Sequence, residues 1–201
     1  MSLILFACEG GHLVLPDRGS LLLSRESGGH IIVLPPQMVW ERSQLTPGEL
    51  GCFAFLVAAA GRAMIDALPQ LEGGCVNYFD AGNWALNDEA EPKGRKIASA
   101  HRKMHQHLLG RSPASTDPSW QWGESPRFPA LAEKDSWAAG FERLTAAECY
   151  QVVSRSDALL RTKYGLLSGQ IAAWSPCDAC AYPTPVVSGE AHHVCAECRA
   201  S

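Results

Sequence analysis

The sequence has no run of about 20 apolar residues such as a membrane span needs. Its longest apolar stretch, Leu50 to Gly61, is closed by Arg62. It has no excess of positive charge either: 17 basic against 21 acidic side chains leave a formal charge of −4. A dedicated nucleic-acid binder is usually basic overall, so that class is not expected of the bulk of the chain. The N-terminus, Met1 to Cys8, carries a short apolar run without a basic start. Neither a signal peptide nor a lipid-modified Cys8 is expected, and the expected compartment is the cytoplasm. No internal repeat is found. There is no evenly spread cysteine framework of the kind that staples small secreted chains. Of eight cysteines, Cys8, Cys52, Cys75 and Cys149 are scattered and the rest fall at the C-terminal end.

What is present describes a globular chain. A length of 201 residues with 46% hydrophobic and 19% charged content can bury a sizeable core. Short apolar runs at 12–16, 20–24 and 30–35 read as strands of an antiparallel meander. Asp17-Arg18-Gly19 and Ser27-Gly28-Gly29 supply the turns between them. Thr46-Pro47-Gly48-Glu49 is a capping box with proline at the first helical position, so a helix should run to about Leu68. Its apolar start implies deep packing or a second subunit, and Gly51 and Gly61 imply close approach of another backbone. A strand is expected over Gly74–Phe79, then a polar, initially acidic loop to Lys96. Residues 112–143, rich in Pro, Ser and Trp, should be irregular. Trp120-Gln121-Trp122 within them reads as core, lid or pocket wall. Thr145 to Glu148 is a second capping box, opening a helix to about Tyr164.

The chemistry concentrates in His101-Arg-Lys-Met-His-Gln-His-Leu-Leu-Gly-Arg111, which holds three histidines and three lysines or arginines but no carboxylate. Read as a strand from Lys103, it sets Lys103, His105 and His107 on one face, with His101 joining if the strand starts early. Same-face residues about 6.5–7 Å apart suit a phosphate or pyrophosphate lying along the strand. A neutral imidazole could attack phosphorus while cations hold the equatorial oxygens. Two other readings stay open. His-x-His with His101 could bind a metal, although Lys103 in the same row opposes that. The segment could also be a solvated basic edge.

Several short motifs, in order, resemble the histidine-triad (HIT) superfamily over residues 10–112. Gly29-His-Ile-Ile-Val-Leu-Pro35 resembles its Gly-His-hydrophobic-Pro strand, and Thr46-Pro-Gly-Glu-Leu50 opens a helix in the usual place. Val76-Asn77 resembles its ribose-side strand, and His105-Gln-His-Leu-Leu-Gly-Arg111 the end of its triad strand. The resemblance implies an α+β fold with an antiparallel sheet, usually a homodimer, acting on nucleotide α-phosphates. It assigns His105 as the nucleophile that forms a nucleotidyl-histidine, His107 as the third triad histidine and His30 as their support. Asn77 would contact ribose or phosphate, with His101, Asn83 and Arg111 as further nucleotide-binding candidates. Ala81-Gly82-Asn83 loosely matches the family's Ala-Gly-Gln. The first triad position is Lys103 here, whose ammonium could hold a phosphate oxygen but would serve poorly as a proton relay. The expected activity is nucleotide hydrolysis or nucleotidyl transfer. The alternative is a catalytically weak nucleotide-sensing module whose C-terminal part binds protein or nucleic acid.

That C-terminal part carries Cys177-Asp-Ala-Cys180 and Cys195-Ala-Glu-Cys198. Two Cys-x2-Cys knuckles joined by a short return predict a structural zinc ribbon, the soft thiolates favouring zinc. His192 and His193 are expected beside the metal or exposed, not as ligands. The organisation expected is a core over 1–112, an irregular segment with a packed helix over 113–170, and the ribbon over 171–201.

Overall fold

The computed structural model describes residues 2–80, 82–186 and 193–199. β1 (Leu3–Cys8), β2 (Gly11–Leu15) and β3 (His30–Leu34) form the antiparallel meander. The N-terminal apolar run is thus a strand the sequence pattern did not announce. The strand expected over 20–24 is absent. Leu21, Leu22 and Leu23 are all buried, so the segment does not alternate as a half-buried strand would. The backbone of Leu22 bonds to side chains instead of a neighbouring strand: its N–H donates to His30 Nδ1 and its carbonyl accepts from Trp137 Nε1.

Helix α1 (Pro47–Ala67) begins as its capping box dictates, with Thr46 Oγ1 accepting from Glu49 N–H and the Glu49 carboxylate accepting from Thr46 N–H. It buries Phe53, Leu56, Val57 and Met64, each worth about 1.5–3 kcal/mol. By length and composition alone α1 could cross a membrane; here 44% of its most apolar window is buried inside the fold. The glycines act differently from expectation. A Cβ at Gly61 would meet the Tyr78 side chain, not another backbone, and at Gly51 it would meet nothing within 4 Å.

β4 (Cys75–Asp80), the short helix α2 (Ala98–His101) and β5 (Gln106–Arg111) follow. β5 enters the sheet between β3 and β4, giving the order β4-β5-β3-β2-β1-β6, where β6 is the late strand Gln170–Ile171, with every pairing antiparallel. One face of the sheet, through Leu13, Ile31, Val33 and Leu108, packs into the core formed with α1. The other face carries Leu109, which packs with Leu22, Leu23 and Trp120. Gly28 and Gly110 make that packing possible where β3 starts. A Cβ on Gly110 would lie 2.1 Å from the Gly28 carbonyl oxygen, and Gly28 itself holds φ +133°.

Residues 112–143 are largely irregular, with one 3-10 turn and the five-residue α3 (Lys134–Ala138). Helix α4 (Ala146–Tyr164) is capped by Thr145 and ends at Gly165 in the left-handed conformation. It packs on α1 within the same chain. Its Glu148 carboxylate caps Thr145 and pairs with Arg25 at 2.7 Å, tying the β2–β3 loop to the helix.

β6 (Gln170–Ile171) adds to β1 at the sheet edge. β7 (Trp174–Pro176) and β8 (Pro183–Pro185) make a two-stranded ribbon ahead of α5 (Ala196–Arg199). The ribbon is docked on the main fold: Trp174 Nε1 and Ala172 N both donate to the Leu5 carbonyl, and Ala146 N donates to the Ala181 carbonyl.

Candidate functional site

The register between β3 and β5 places Ile32 opposite His107 and His30 opposite Leu109. Directly opposed residues share a face, so His30 and His107 are diagonal neighbours on the face away from α1. Their rings lie 5.0 Å apart. His105 precedes β5, because the strand starts at Gln106 and not at Lys103. The chain there is still extended enough to bring its ring to 4.7 Å from that of His107, nearly perpendicular to it.

Four hydrogen bonds join these rings in one direction. Leu22 N–H donates to His30 Nδ1 at 3.3 Å, which leaves Nε2 as the protonated nitrogen of a neutral ring. His30 Nε2–H then donates to His107 Nδ1 at 2.8 Å. His107 Nε2–H donates to His105 Nε2 at 3.0 Å, and His105 Nδ1–H donates to the Lys103 carbonyl at 2.8 Å. The backbone amide at one end thus sets the tautomer of all three rings. Burial, with the neighbouring imidazoles adding to it, drives the His30 pKa well below that of a free histidine. Burial and the nearby His105 bring His107 down to about 3. Both rings are therefore neutral at neutral pH, and the His105 Nε2 lone pair accepts from His107 at the edge of a cavity that both rings line.

That cavity measures about 380 Å³ and is bounded by His105 and His107. Its walls are mainly apolar, from Leu22, Ile32, Phe79, Trp84 and Phe128. Phe79 of β4 stacks on Phe128 at 4.6 Å. Lys134, at the start of α3, lines it as well.

The other sequence candidates are distributed differently. Lys103 contributes its carbonyl, but its side chain is exposed and does not line the cavity. His101 closes α2, outside any strand, and its Nδ1 hydrogen-bonds within that turn to Ile97. Arg111 is buried at the far end of β5, where its Nη2 donates to the carbonyls of Gln121 and Glu124 and its guanidinium lies 5.1 Å from the Trp120 ring centroid. Asn77 shares the histidine face, but it lines a separate cleft with Arg111 and the half-exposed Trp122. Trp120 is core, its Nε1 donating to the Gly110 carbonyl at 2.8 Å. Asn83 opens a 3-10 turn whose neighbours Gly82 and Trp84 line the cavity. Ala81 lies outside the described residues.

Neither family models nor curated proteins match the chain.

The second cluster is at the C-terminal end. The sulfurs of Cys177, Cys180, Cys195 and Cys198 all lie within 4.8 Å of one another and could hold one metal ion. Metal–sulfur bonds of about 2.3 Å in a tetrahedron imply sulfur separations of about 3.8 Å. Cys180 and Cys195 stand at 3.6 Å. The Cys195 N–H donates to Cys177 Sγ. Burial pushes the Cys177 thiol up, but backbone N–H groups of Cys195, Ala179 and Cys180 outweigh it and hold the thiol at about 6. Two further bonds tie the knuckles: Asp178 N–H to the His193 carbonyl, and His193 N–H to the Asp178 carboxylate. His193 thus meets the site through its backbone, and His192 lies outside the described residues. Four cysteine sulfurs converging on one point could complete the coordination shell of a single metal ion.

Proposed function

We propose that the chain is a nucleotide hydrolase or nucleotidyltransferase of histidine-triad type, acting at a nucleotide α-phosphate. The observation that supports this reading is the one-way hydrogen-bond chain from Leu22 through His30 and His107 to His105, ending at an apolar cavity. In this reading His105 Nε2 forms a bond to phosphorus as the bond to the leaving oxygen breaks, its electron pair departing with that oxygen. The imidazolium so formed keeps its Nδ1–H on the Lys103 carbonyl, which favours the positive ring. Attack frees His107 Nε2–H from His105, and it can then donate to a phosphoryl or leaving-group oxygen. Water or another acceptor displaces His105 in the second step, and the electron pair of the phosphorus–nitrogen bond returns to the ring. A nucleoside fits the apolar walls. The folded core and order of motifs agree with a HIT-like sheet, and the four-cysteine cluster with a structural zinc ribbon.

The exposure of the Lys103 side chain, outside the cavity, favours a second reading, in which the site binds a nucleotide without turning it over. One experiment separates the two. The protein is incubated with α-labelled dinucleoside polyphosphates and quenched under alkaline conditions that preserve phosphoramidates. The enzyme reading expects labelled protein and released mononucleotide, both lost in a folded His105→Asn variant. An active His105→Asn protein would remove the assignment.

A further inference from the structure

We infer that Lys134, and not Lys103, is the cation that holds the substrate phosphate in the histidine cavity, making residues 128–134 its recognition segment. The inference rests on the nucleotide reading of that cavity. It starts from charge. The cavity wall holds His105 and His107, the neutral Ser2 and Ser20, apolar side chains and one ammonium, that of Lys134, with no carboxylate among the described lining residues.

Four other cations near the histidines in sequence or space are placed elsewhere. Arg102 pairs with Glu41 at 3.1 Å, and Arg42 with Asp80 at 2.6 Å. Arg111 is held by backbone carbonyls at the opposite end of β5. The Lys103 side chain points into solvent. By contrast, Lys134 is half-buried, and no carboxylate among the described residues pairs with it. Its Nζ stands 6.0 Å from the centroid of the Trp84 ring, on the cavity wall. An unpaired ammonium beside apolar walls acts on an anion through a lower dielectric than bulk water, so its attraction is less screened. A flexible four-carbon stem lets it follow a phosphate through a reaction.

The position of α3 is also tied to the histidine chain. Trp137, one turn after Lys134, donates its indole N–H to the Leu22 carbonyl at 3.2 Å. The N–H of the same Leu22 sets the tautomer of His30. One residue therefore fixes both the helix that carries the ammonium and the order of the imidazoles. Phe128 and Pro129 from the same segment complete the apolar wall. The ligand class that fits is a nucleoside 5′-phosphate, its base against the aromatic wall and its phosphate between Lys134 and His105.

Calorimetry on the full chain at low salt tests this, with the four nucleoside 5′-monophosphates and the four matching nucleosides. The parent should bind at least one monophosphate more tightly than its nucleoside. Lys134→Met should weaken that monophosphate roughly 10- to 100-fold, the range for a charge-assisted hydrogen bond, and leave the nucleoside unchanged. Lys134→Arg should restore most of the preference, and Lys163→Met, on α4, should not alter it. A Lys134→Met protein that keeps the full preference for phosphate overturns the role of Lys134 while the nucleotide reading stands. A parent that binds neither phosphates nor nucleosides overturns the nucleotide reading, and this inference with it.

Discussion

Acid should destabilise this fold through imidazoles that are folded in without charge. His107 titrates at about 3 in the folded chain, pressed down by burial and by His105, whereas a histidine in the unfolded chain titrates near 6.5. Between those values the unfolded state binds a proton that the folded state refuses. The stability tied to His107 is therefore fully present above about pH 6.5 and is lost as the pH falls toward 3. At about pH 5 the interval covered is roughly 1.5 pH units, which at 1.36 kcal/mol each comes to about 2 kcal/mol. His30, buried beside it and shifted in the same direction, adds to the loss. Urea unfolding at about pH 7.5 and about pH 5, on the parent and on His107→Gln, reads this out. With a slope of about 2 kcal/mol per molar urea, the parent's midpoint should fall about 1 M further than the variant's. The four-cysteine cluster is common to both proteins, so its own acid sensitivity cancels in the comparison. Parallel pH dependences for parent and variant would refute a neutral, buried His107.

Two glycines should respond in opposite senses to alanine. Gly110→Ala drives a methyl group into the Gly28 carbonyl, which backbone cannot easily yield, and should cost about 3 kcal/mol or more in urea unfolding. Gly51→Ala, in open space on α1, should stabilise by up to about 1 kcal/mol. Elemental analysis should find about one zinc per chain, and Cys177→Ser should lower that content and open residues after 174 to limited proteolysis while the helices keep their circular dichroism.

Features specified by neighbouring residues were legible before the structure. Both long helices begin at their Thr-x-x-Glu boxes, because the cap is satisfied within four residues whatever surrounds it. The Cys-x2-Cys pairs likewise carry their geometry in their spacing. The histidines were legible as a group, but the register was not: the chain reaches His105 extended yet outside the ladder, since β4 pairs only from Asp80, opposite Gln106. The segment 20–24 looked like a strand because three leucines flanked by serines fit one. What decides otherwise is a hydrogen bond from Leu22 to His30, eight residues on, and another from Trp137, 115 residues away. Lys134 and Phe128 were missed for the same reason. Nothing in their local pattern records that an irregular segment folds back over the sheet.

The docking of the C-terminal tail on β1 bears on self-association. β1 is six residues long, without charge or proline, and among the described residues β6 and the donors from Ala172 and Trp174 hydrogen-bond along its outer edge. Were that tail to come away, the strand would offer a row of unpaired amides and carbonyls to the same strand of another molecule, the usual seed of edge-to-edge aggregation. The four-cysteine knot lies at the end of that tail. Its occupancy would then govern whether the protein remains dispersed at high concentration, well away from the cavity where its chemistry is proposed to occur.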